Sequence, residues 1–333
     1  MSSVASCGLE DDDPQPRLVI TTSYYLNALT YLPDGRRIVT SSEAGTVMIW
    51  DVENMKQEGT TIQVRAKIHS LALTQDGKTI LCSTVKGSVK VWDVESHQII
   101  KEWSHSEDSP RVAVSPDDRF VAVGNCTVSI HALQGWQVSR TIDFGKSITS
   151  MSFSPDGTRL ACSTCDGIHV YDVDSGILIL GPLTGHQNRI SSLFWSRDGS
   201  RLISGSDDKT IRCWSADAGE SIRHPWLVRL GSVISALSLS PDGSIVTSAS
   251  WDQTLRFWDA NNGDPVGQPL RHEGHVHSVC FSPSGDLVAL AGWDGKVYLS
   301  RIPAIVCLRS SKASALSDIH YVTNSVGSSR SFW

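Results

Sequence analysis

Apolar and polar residues alternate with a period of two in short runs, and the runs come in threes. The clearest set lies between Leu183 and Trp214. It contains Ile190-Ser191-Ser192-Leu193-Phe194-Trp195, then Leu202-Ile203-Ser204-Gly205-Ser206, then Thr210-Ile211-Arg212-Cys213-Trp214. Asp198-Gly199 and Asp207-Asp208 separate the runs. A period of two puts alternate side chains on one face, and Asp-Gly pairs close tight hairpins. The stretch therefore predicts three short antiparallel strands.

The same unit recurs along the chain. Its turn reads Leu32-Pro33-Asp34-Gly35 in the first copy and ends at Gly77, Asp118, Gly157, Gly199, Gly243 and Gly285 in the others. The gaps between these positions are 42, 41, 39, 42, 44 and 42 residues. Where the turn is Ser-Pro-Asp-Gly, Pro presets the first turn position, Asp bonds its own backbone and Gly takes the left-handed position. A period of about 42 residues is that of a four-stranded propeller blade. Each copy ends on a further apolar run, and five of these carry a late aromatic residue: Trp50, Trp92, Tyr171, Trp214 and Trp258. In the other two, His131 and Ser300 stand at that place.

On these turns, strands, Trp-Asp pairs and spacing, the chain resembles the WD40 repeat family over residues 17–301. The resemblance implies an all-β fold, a single seven-bladed propeller with four antiparallel strands per blade. It further implies that the leftover segment at 17–21 supplies the outer strand of the last blade, whose own copy runs out after Val297–Arg301. Such closure leaves only short, protected edges. The form Gly267-Gln268-Pro269-Leu270-Arg271-His272 is similar to WD40 arrays of mushroom-type fungi, where such repeats stand alone or follow nucleotide-binding sensor domains. No phosphate-binding glycine loop is present in this sequence.

Composition narrows the function. The 29 basic and 35 acidic residues leave a net charge of -6, which argues against general nucleic-acid binding. No apolar run approaches a bilayer span, so membrane insertion is not expected. Glu10-Asp11-Asp12-Asp13 stands where a secretory signal would be basic and then apolar, so a cytoplasmic or nuclear location is expected. Residues 1–16 read as a disordered acidic arm. Residues 302–333 read as a Ser-rich, mostly disordered tail in which Trp333 is an odd terminal residue. Cys82, Cys126, Cys162, Cys213 and Cys280 read as isolated, reduced thiols within strands. Cys162 and Cys165 are three apart, which on a strand points them to opposite faces, and no second Cys or His pair completes a zinc set. Neither a metal nor another cofactor is expected.

His186, Ser204, Asp208 and Trp214 have the residue types of a hydrolase triad, yet Ser204 sits inside a predicted strand with no Gly-x-Ser-x-Gly elbow. The family resemblance assigns the four instead to a buried structural line running Asp, His, Ser, Trp. Only the fifth copy is complete. Leu230 replaces the His of the sixth, Leu290 and Ser300 replace Ser and Trp in the seventh, and Ala44 and Lys86 stand at the Asp place of the first two. The third copy shortens the turn at Gly124-Asn125, and the fourth is one residue short before Tyr171.

The resemblance places the residue before the turn Asp on the top face, around the central channel. In copies six and seven that residue is Trp251 and Trp293. The two readings are an exposed aromatic hot spot for a partner, or indoles packed on adjacent loops. Asp207 is the equivalent residue of copy five. Arg189, His275, His277, Tyr24 and Tyr25 fall in nearby loops. The expected function is a non-enzymatic scaffold or adaptor that presents propeller loops to proteins or peptides, within a larger complex or alone. The alternatives are a substrate receptor of a cullin ubiquitin ligase and a ligand-sensing module of a fungal immune-type receptor system. Against the first, Glu53, Glu95, Asp174, Asp217 and Asn261 occupy the place of the Arg in Trp-Asp-x-Arg.

Overall fold

The computed structural model describes residues 18–22, 24–227 and 232–302. The arm at 1–16, Leu230 and the tail at 303–333 with Trp333 lie outside the described residues.

Among the described residues every regular element is a strand. The first strand, β1 (Leu18–Thr21), stands apart from the rest in sequence. Blade 1 is β2 (Leu26–Tyr31), β3 (Arg37–Ser42), β4 (Thr46–Asp51) and β5 (Lys56–Gln63). Blade 2 is β6 (Ile68–Leu73), β7 (Thr79–Thr84), β8 (Ser88–Asp93) and β9 (Ile99–Ser104). Blade 3 is β10 (Arg111–Val114), β11 (Phe120–Gly124), β12 (Thr127–Ala132) and β13 (Val138–Asp143). Blade 4 is β14 (Ser150–Phe153), β15 (Arg159–Thr164), β16 (Gly167–Asp172) and β17 (Leu178–Leu183). Blade 5 is β18 (Ile190–Trp195), β19 (Arg201–Ser206), β20 (Thr210–Ser215) and β21 (Trp226–Leu227). Blade 6 is β22 (Ile234–Leu239), β23 (Ile245–Ser250), β24 (Thr254–Asp259) and β25 (Pro265–Arg271). Blade 7 takes β26 (Val276–Phe281), β27 (Leu287–Gly292) and β28 (Lys296–Arg301).

Seven four-stranded antiparallel sheets result, and the seventh has the order β26-β27-β28-β1. The pairing runs Leu18 with Leu299, Val19 with Tyr298, Ile20 with Val297 and Thr21 with Lys296. The N-terminal strand therefore closes the ring, as the strand count predicts. The hydrophobic layers lie between blades rather than inside them. One layer joins Ile20, Leu26, Tyr31 and Trp50 to Cys280, Ala289 and Leu299, sealing blade 1 against blade 7. Inner strands run nearly all buried because both faces meet neighbouring blades, while the outer strand Lys56–Gln63 is mostly exposed. That asymmetry is why the inner strands bury their small polar residues along with their apolar ones, while the outer strand 56–63 reads as polar.

The turns follow the sequence chemistry. Gly35 has φ +69°, and Asp34 Oδ1 accepts from the Arg36 amide at 2.8 Å. In blade 3 the same left-handed position is filled by Asp118 at φ +54°, a residue whose short polar side chain tolerates it. Its carboxylate caps the neighbouring turn, accepting from Gln75 N at 2.7 Å and Asp76 N at 3.0 Å. Serines on the inner strands stitch the blades together. Ser70 Oγ accepts from Val112 N at 3.3 Å, Ser192 Oγ from Leu237 N at 3.2 Å and Ser278 Oγ from Leu29 N at 3.1 Å.

Candidate functional site

Blade 5 brings His186, Ser204, Asp208 and Trp214 into one line. His186 Nδ1 lies 2.8 Å from Asp208 Oδ2, and His186 Nε2 lies 2.8 Å from Ser204 Oγ. Trp214 Nε1 donates to the same Ser204 oxygen at 2.9 Å. Thr210 Oγ1 and Gln187 N also donate to the Asp208 carboxylate. Burial raises the Asp208 carboxyl, but the hydrogen bonds outweigh it and hold the group well below the usual carboxylate range. Ser204 and Trp214 are 0% and 1% exposed. A nucleophile must meet its substrate, and this hydroxyl is covered on all sides.

The other blades keep parts of this line. Trp50 Nε1 donates to Thr40 Oγ1 at 2.8 Å and Trp258 Nε1 to Ser248 Oγ at 2.9 Å. Blade 3 substitutes His131, whose Nε2 lies 2.9 Å from Ser129 Oγ. Blade 7 uses a residue outside the sequence pattern. Tyr298 donates its hydroxyl to Asp294 Oδ2, and its ring packs 5.3 Å from that of His272. Both His272 nitrogens are buried without a hydrogen-bond partner, and burial lowers the imidazole to about 4.

One backbone bond recurs at the same end of five blades. The residue just after the second strand donates its amide to the loop residue before the first strand. Glu43 N reaches Tyr25 O at 3.1 Å, Val85 N reaches Lys67 O at 2.9 Å and Asp207 N reaches Arg189 O at 2.9 Å. Trp251 N reaches Val233 O, and Trp293 N reaches His275 O, both at 3.3 Å. These bonds tie the two loops together at the same end of each of the five blades, and the side chains carried there differ from blade to blade.

On blades 6 and 7 aromatic side chains gather at this end. Trp251 and Trp293 lie with ring centroids 5.6 Å apart. His277 stacks on Trp293 at 4.6 Å and 28°, while His275 meets the same indole edge-on at 5.7 Å. His275 and His277 also approach Trp251 at 6.0 and 5.9 Å. His275 Nδ1 lies 2.5 Å from the Trp251 carbonyl oxygen. Both indoles are half-buried, packed on each other and on imidazoles rather than standing separately in solvent. His277 belongs to β26 rather than to a loop and is 2% exposed. Its Nε2 and Trp251 Nε1 are buried without partners. Burial, with a smaller push from His275, lowers His277 to about 4, so its ring is neutral at pH 7. Tyr24 and Tyr25 are 48% and 57% exposed, on the loop beside this cluster. Thr22 N, just before them, donates to Gly295 O at 2.7 Å, in the turn that carries Trp293.

On blades 2 and 5 the loop residue at this end is basic, Lys67 and Arg189. Lys67 pairs with Glu43 at 2.6 Å. Arg189 and Asp207 are half-buried on blade 5. Burial raises the Asp207 carboxyl, and Arg189 pulls it partly back. His69 and Arg111 lie on the inner strands, 9% and 5% exposed. Neither figures among the sequence candidates. His69 shares an offset with Asn27, Thr149, Ser191, Ser235 and His277, each eight residues before its turn glycine, whereas Arg111 stands seven before Asp118 and that offset passes over it. Among the described residues, no group of three or more His, Cys, Asp or Glu could hold a metal ion. Cys162 is buried on β15, but Cys165 lies exposed in the turn beyond that strand and Cys126 is half-buried in the bend between β11 and β12, so neither of these two sits within a strand.

Among the described residues, no helix is long and apolar enough to cross a membrane. Compared with known proteins, the chain is 26% identical to the transcription factor unc-37 of Caenorhabditis elegans over 211 residues, 62% of this chain and 29% of that protein. It is 33% identical to the WD repeat-containing protein SL1-17 of Schistosoma mansoni over 119 residues, 34% of this chain and 39% of the relative. WD repeat-containing protein 1 of Bos taurus is 35% identical over 83 residues, 24% of this chain and 14% of the relative. The chain thus spans well under half the length of these relatives. The family profile described as WD domain, G-beta repeat matches residues 15–51, 58–93, 136–172, 178–215, 229–259 and 265–299. The longest stretch it passes over, 94–135, holds β9 and the first three strands of blade 3, with Arg111 on the inner strand, Asp118 at the turn and His131 at the Trp place. Seven complete blades, six of them matched in sequence over more than half of the chain, place this protein in the WD40 repeat family.

Proposed function

We propose that this propeller is a non-enzymatic scaffold that docks a protein or peptide segment on its top face, at Trp251, Trp293, His275 and His277. WD-repeat proteins in general mediate protein interactions, and this chain has the fold for it. The observation that carries the site is the four-ring cluster at the channel mouth. It offers apolar and aromatic area at low side-chain entropy cost. Tyr24, Tyr25, Arg189 and Asp207 extend the surface around the mouth. The non-catalytic reading is supported by Ser204, whose hydroxyl accepts from Trp214 in the interior. A cytoplasmic or nuclear setting fits a relative that is a transcription factor.

The test is affinity capture from cell extract with the full chain and with the Trp251→Ala/Trp293→Ala double variant. Partners that dock here are recovered by the wild type and lost by the variant at equal folded protein. Recovery of the same proteins in the same amounts by both moves the site elsewhere on the disc.

A further inference from the structure

In blades 1 to 6 the outer strand follows the third strand along the chain, so the chain itself ties it to its own blade. Blade 7 takes its outer strand from elsewhere. β1 is covalently joined to blade 1 and only paired with blade 7. Each of its residues, Leu18–Thr21, pairs with β28. Ile20 is buried in the layer between blades 7 and 1, while Val19 is exposed. A short strand held by pairing and little burial is the kind of element that opens locally while the rest stays folded.

The end of β1 is fastened to the turn that carries Trp293. Thr22 N donates to Gly295 O at 2.7 Å, and the Thr22 hydroxyl is shared between Gly295 O and Tyr24 O at 2.8 Å each. Gly295 closes the turn, its amide reaching Gly292 O at 3.3 Å. It has φ +71°, and a Cβ built on it would lie 3.0 Å from both Thr22 O and Tyr24 O. The two segments therefore meet backbone to backbone. Other blades make the same amide bond from the end of their own outer strand. Val64 N reaches Gly45 O at 2.9 Å, His105 N reaches Gly87 O at 2.7 Å and His272 N reaches Gln253 O at 2.8 Å. In blade 7 the bond comes from a segment that belongs to its neighbour.

That segment goes on to Tyr24 and Tyr25, both exposed. Tyr25 holds the place in blade 1 that His275 holds in blade 7, because Tyr25 O accepts from Glu43 N as His275 O accepts from Trp293 N. The Trp293 turn is thus bonded to the His275 loop through its tryptophan amide and to the strap through Gly295 O. Opening of β1 removes the Thr22 fastening and releases Tyr24 from beside the turn.

We propose that ring closure and docking are coupled. The strap of residues 18–22, with Tyr24 and Tyr25, completes the docking surface and steadies the Trp293 turn, so a peptide segment seated there by an aromatic or aliphatic side chain holds β1 on blade 7, and departure of β1 releases the segment. This rests on the docking reading at Trp251 and Trp293 and adds its regulation. The coupling is reciprocal: what docking gains from closure, closure gains from docking.

The test begins with a displayed random heptapeptide library selected on the full chain. An enriched peptide that is lost on Trp251→Ala/Trp293→Ala serves as the probe. Amide hydrogen exchange of the full chain is then followed by mass spectrometry, with and without the peptide at about thirty times its Kd. A ligand that binds only the closed form slows exchange through opening by up to about thirty-fold at that concentration. Exchange at 18–22 should slow at least about ten-fold, and exchange in β17 of blade 4 by less than about two-fold. Equal slowing in both segments, or none at 18–22, overturns the proposal. Tyr24→Ser/Tyr25→Ser keeps the backbone bonds and removes both rings, and it should weaken the peptide at least about five-fold. A peptide that binds this variant as tightly as wild type also overturns the proposal. A peptide that needs the tryptophans yet leaves 18–22 unprotected sinks the coupling and leaves the docking face standing. Should no enriched peptide depend on the tryptophans, both readings fall.

Discussion

Replacing Ser204 by Ala removes one oxygen and strands two buried donors or acceptors. Trp214 Nε1 and His186 Nε2 both end on that hydroxyl, at 2.9 and 2.8 Å. Trp214 is 1% exposed, and the His186 side chain 3%, so water cannot take over either bond. A buried polar group left without a partner costs about 1–3 kcal/mol, so two such groups imply a loss of roughly 3 kcal/mol. Ser248→Ala in blade 6 is the internal comparison, because Ser248 accepts from Trp258 Nε1 at 2.9 Å and its blade has no His at the matching place. One stranded group there implies roughly half the loss. At about 2–4 °C per kcal/mol for a domain somewhat smaller than this one, Ser204→Ala should lower Tm by roughly 5–12 °C and Ser248→Ala by about half of that. Differential scanning fluorimetry with urea denaturation measures both. The Ser204→Ala/His186→Ala double variant should lose less than the sum of the single losses, because both act on one line. Equal effects of Ser204→Ala and Ser248→Ala, or additive losses in the double variant, would refute a line coupled through Ser204. Loss of a hydrolytic activity with unchanged Tm would refute it more sharply.

Two further outcomes follow from the fold. Deleting residues 1–24 removes β1, strips Ile20 from the layer between blades 7 and 1 and leaves β28 as an open edge. The truncated protein should melt early or aggregate in light scattering; melting like the full chain contradicts the closure. The second concerns acid. His272 and His277 are lowered to about 4 against an ordinary value of 6.5, so both stay neutral in the folded protein while the unfolded chain takes up protons. Their contribution is fully present above pH 6.5 and is lost as pH falls towards 4. At about 1.4 kcal/mol per pH unit for each proton, stability should drop by roughly 2 kcal/mol per histidine between pH 7 and 5. His272→Leu should remove one share of that drop in urea titrations, and an unaltered pH slope would contradict the burial argument.

Much of the fold could be read from the chain because each repeat states its own turn. Leu-Pro-Asp-Gly at 32–35 and Ser-Pro-Asp-Gly at 154–157 and 240–243 mark hairpins wherever they occur, and the spacing between them counts the blades. The closing pair of Leu18 with Leu299 followed from counting strands, since the last copy lacks a fourth. The site was less legible. The offset eight residues after each turn glycine picks out Trp251 and Trp293, but burial is set by what stands opposite. The imidazoles that cover the indoles come from the preceding loop and from the inner strand. His277 read as a loop residue because the register shift between Val276 and Ser278 interrupts the alternation at that point. Tyr298 was invisible for another reason. It reaches Asp294 from two residues before the Trp place, so an offset rule fixed on Ser300 passes over it. Arg111 hid in the copy whose turn and length depart most from the others, where alignment by turn residue alone gives no sense of depth.

The central claim is that the top face near Trp251 and Trp293 is where partners bind, and one measurement addresses it directly. A partner recovered by affinity capture is titrated, by isothermal calorimetry, into wild type, Trp251→Ala and Trp293→Ala, with Tm recorded for each. Both indoles are half-buried at the rim and share one cluster, so their loss should leave the blades folded. Each truncation should weaken binding by roughly 2 kcal/mol, about thirty-fold in Kd, while Tm stays within a few degrees of wild type. Unchanged Kd in both variants, or a loss of affinity that follows a collapse in Tm, would contradict the claim.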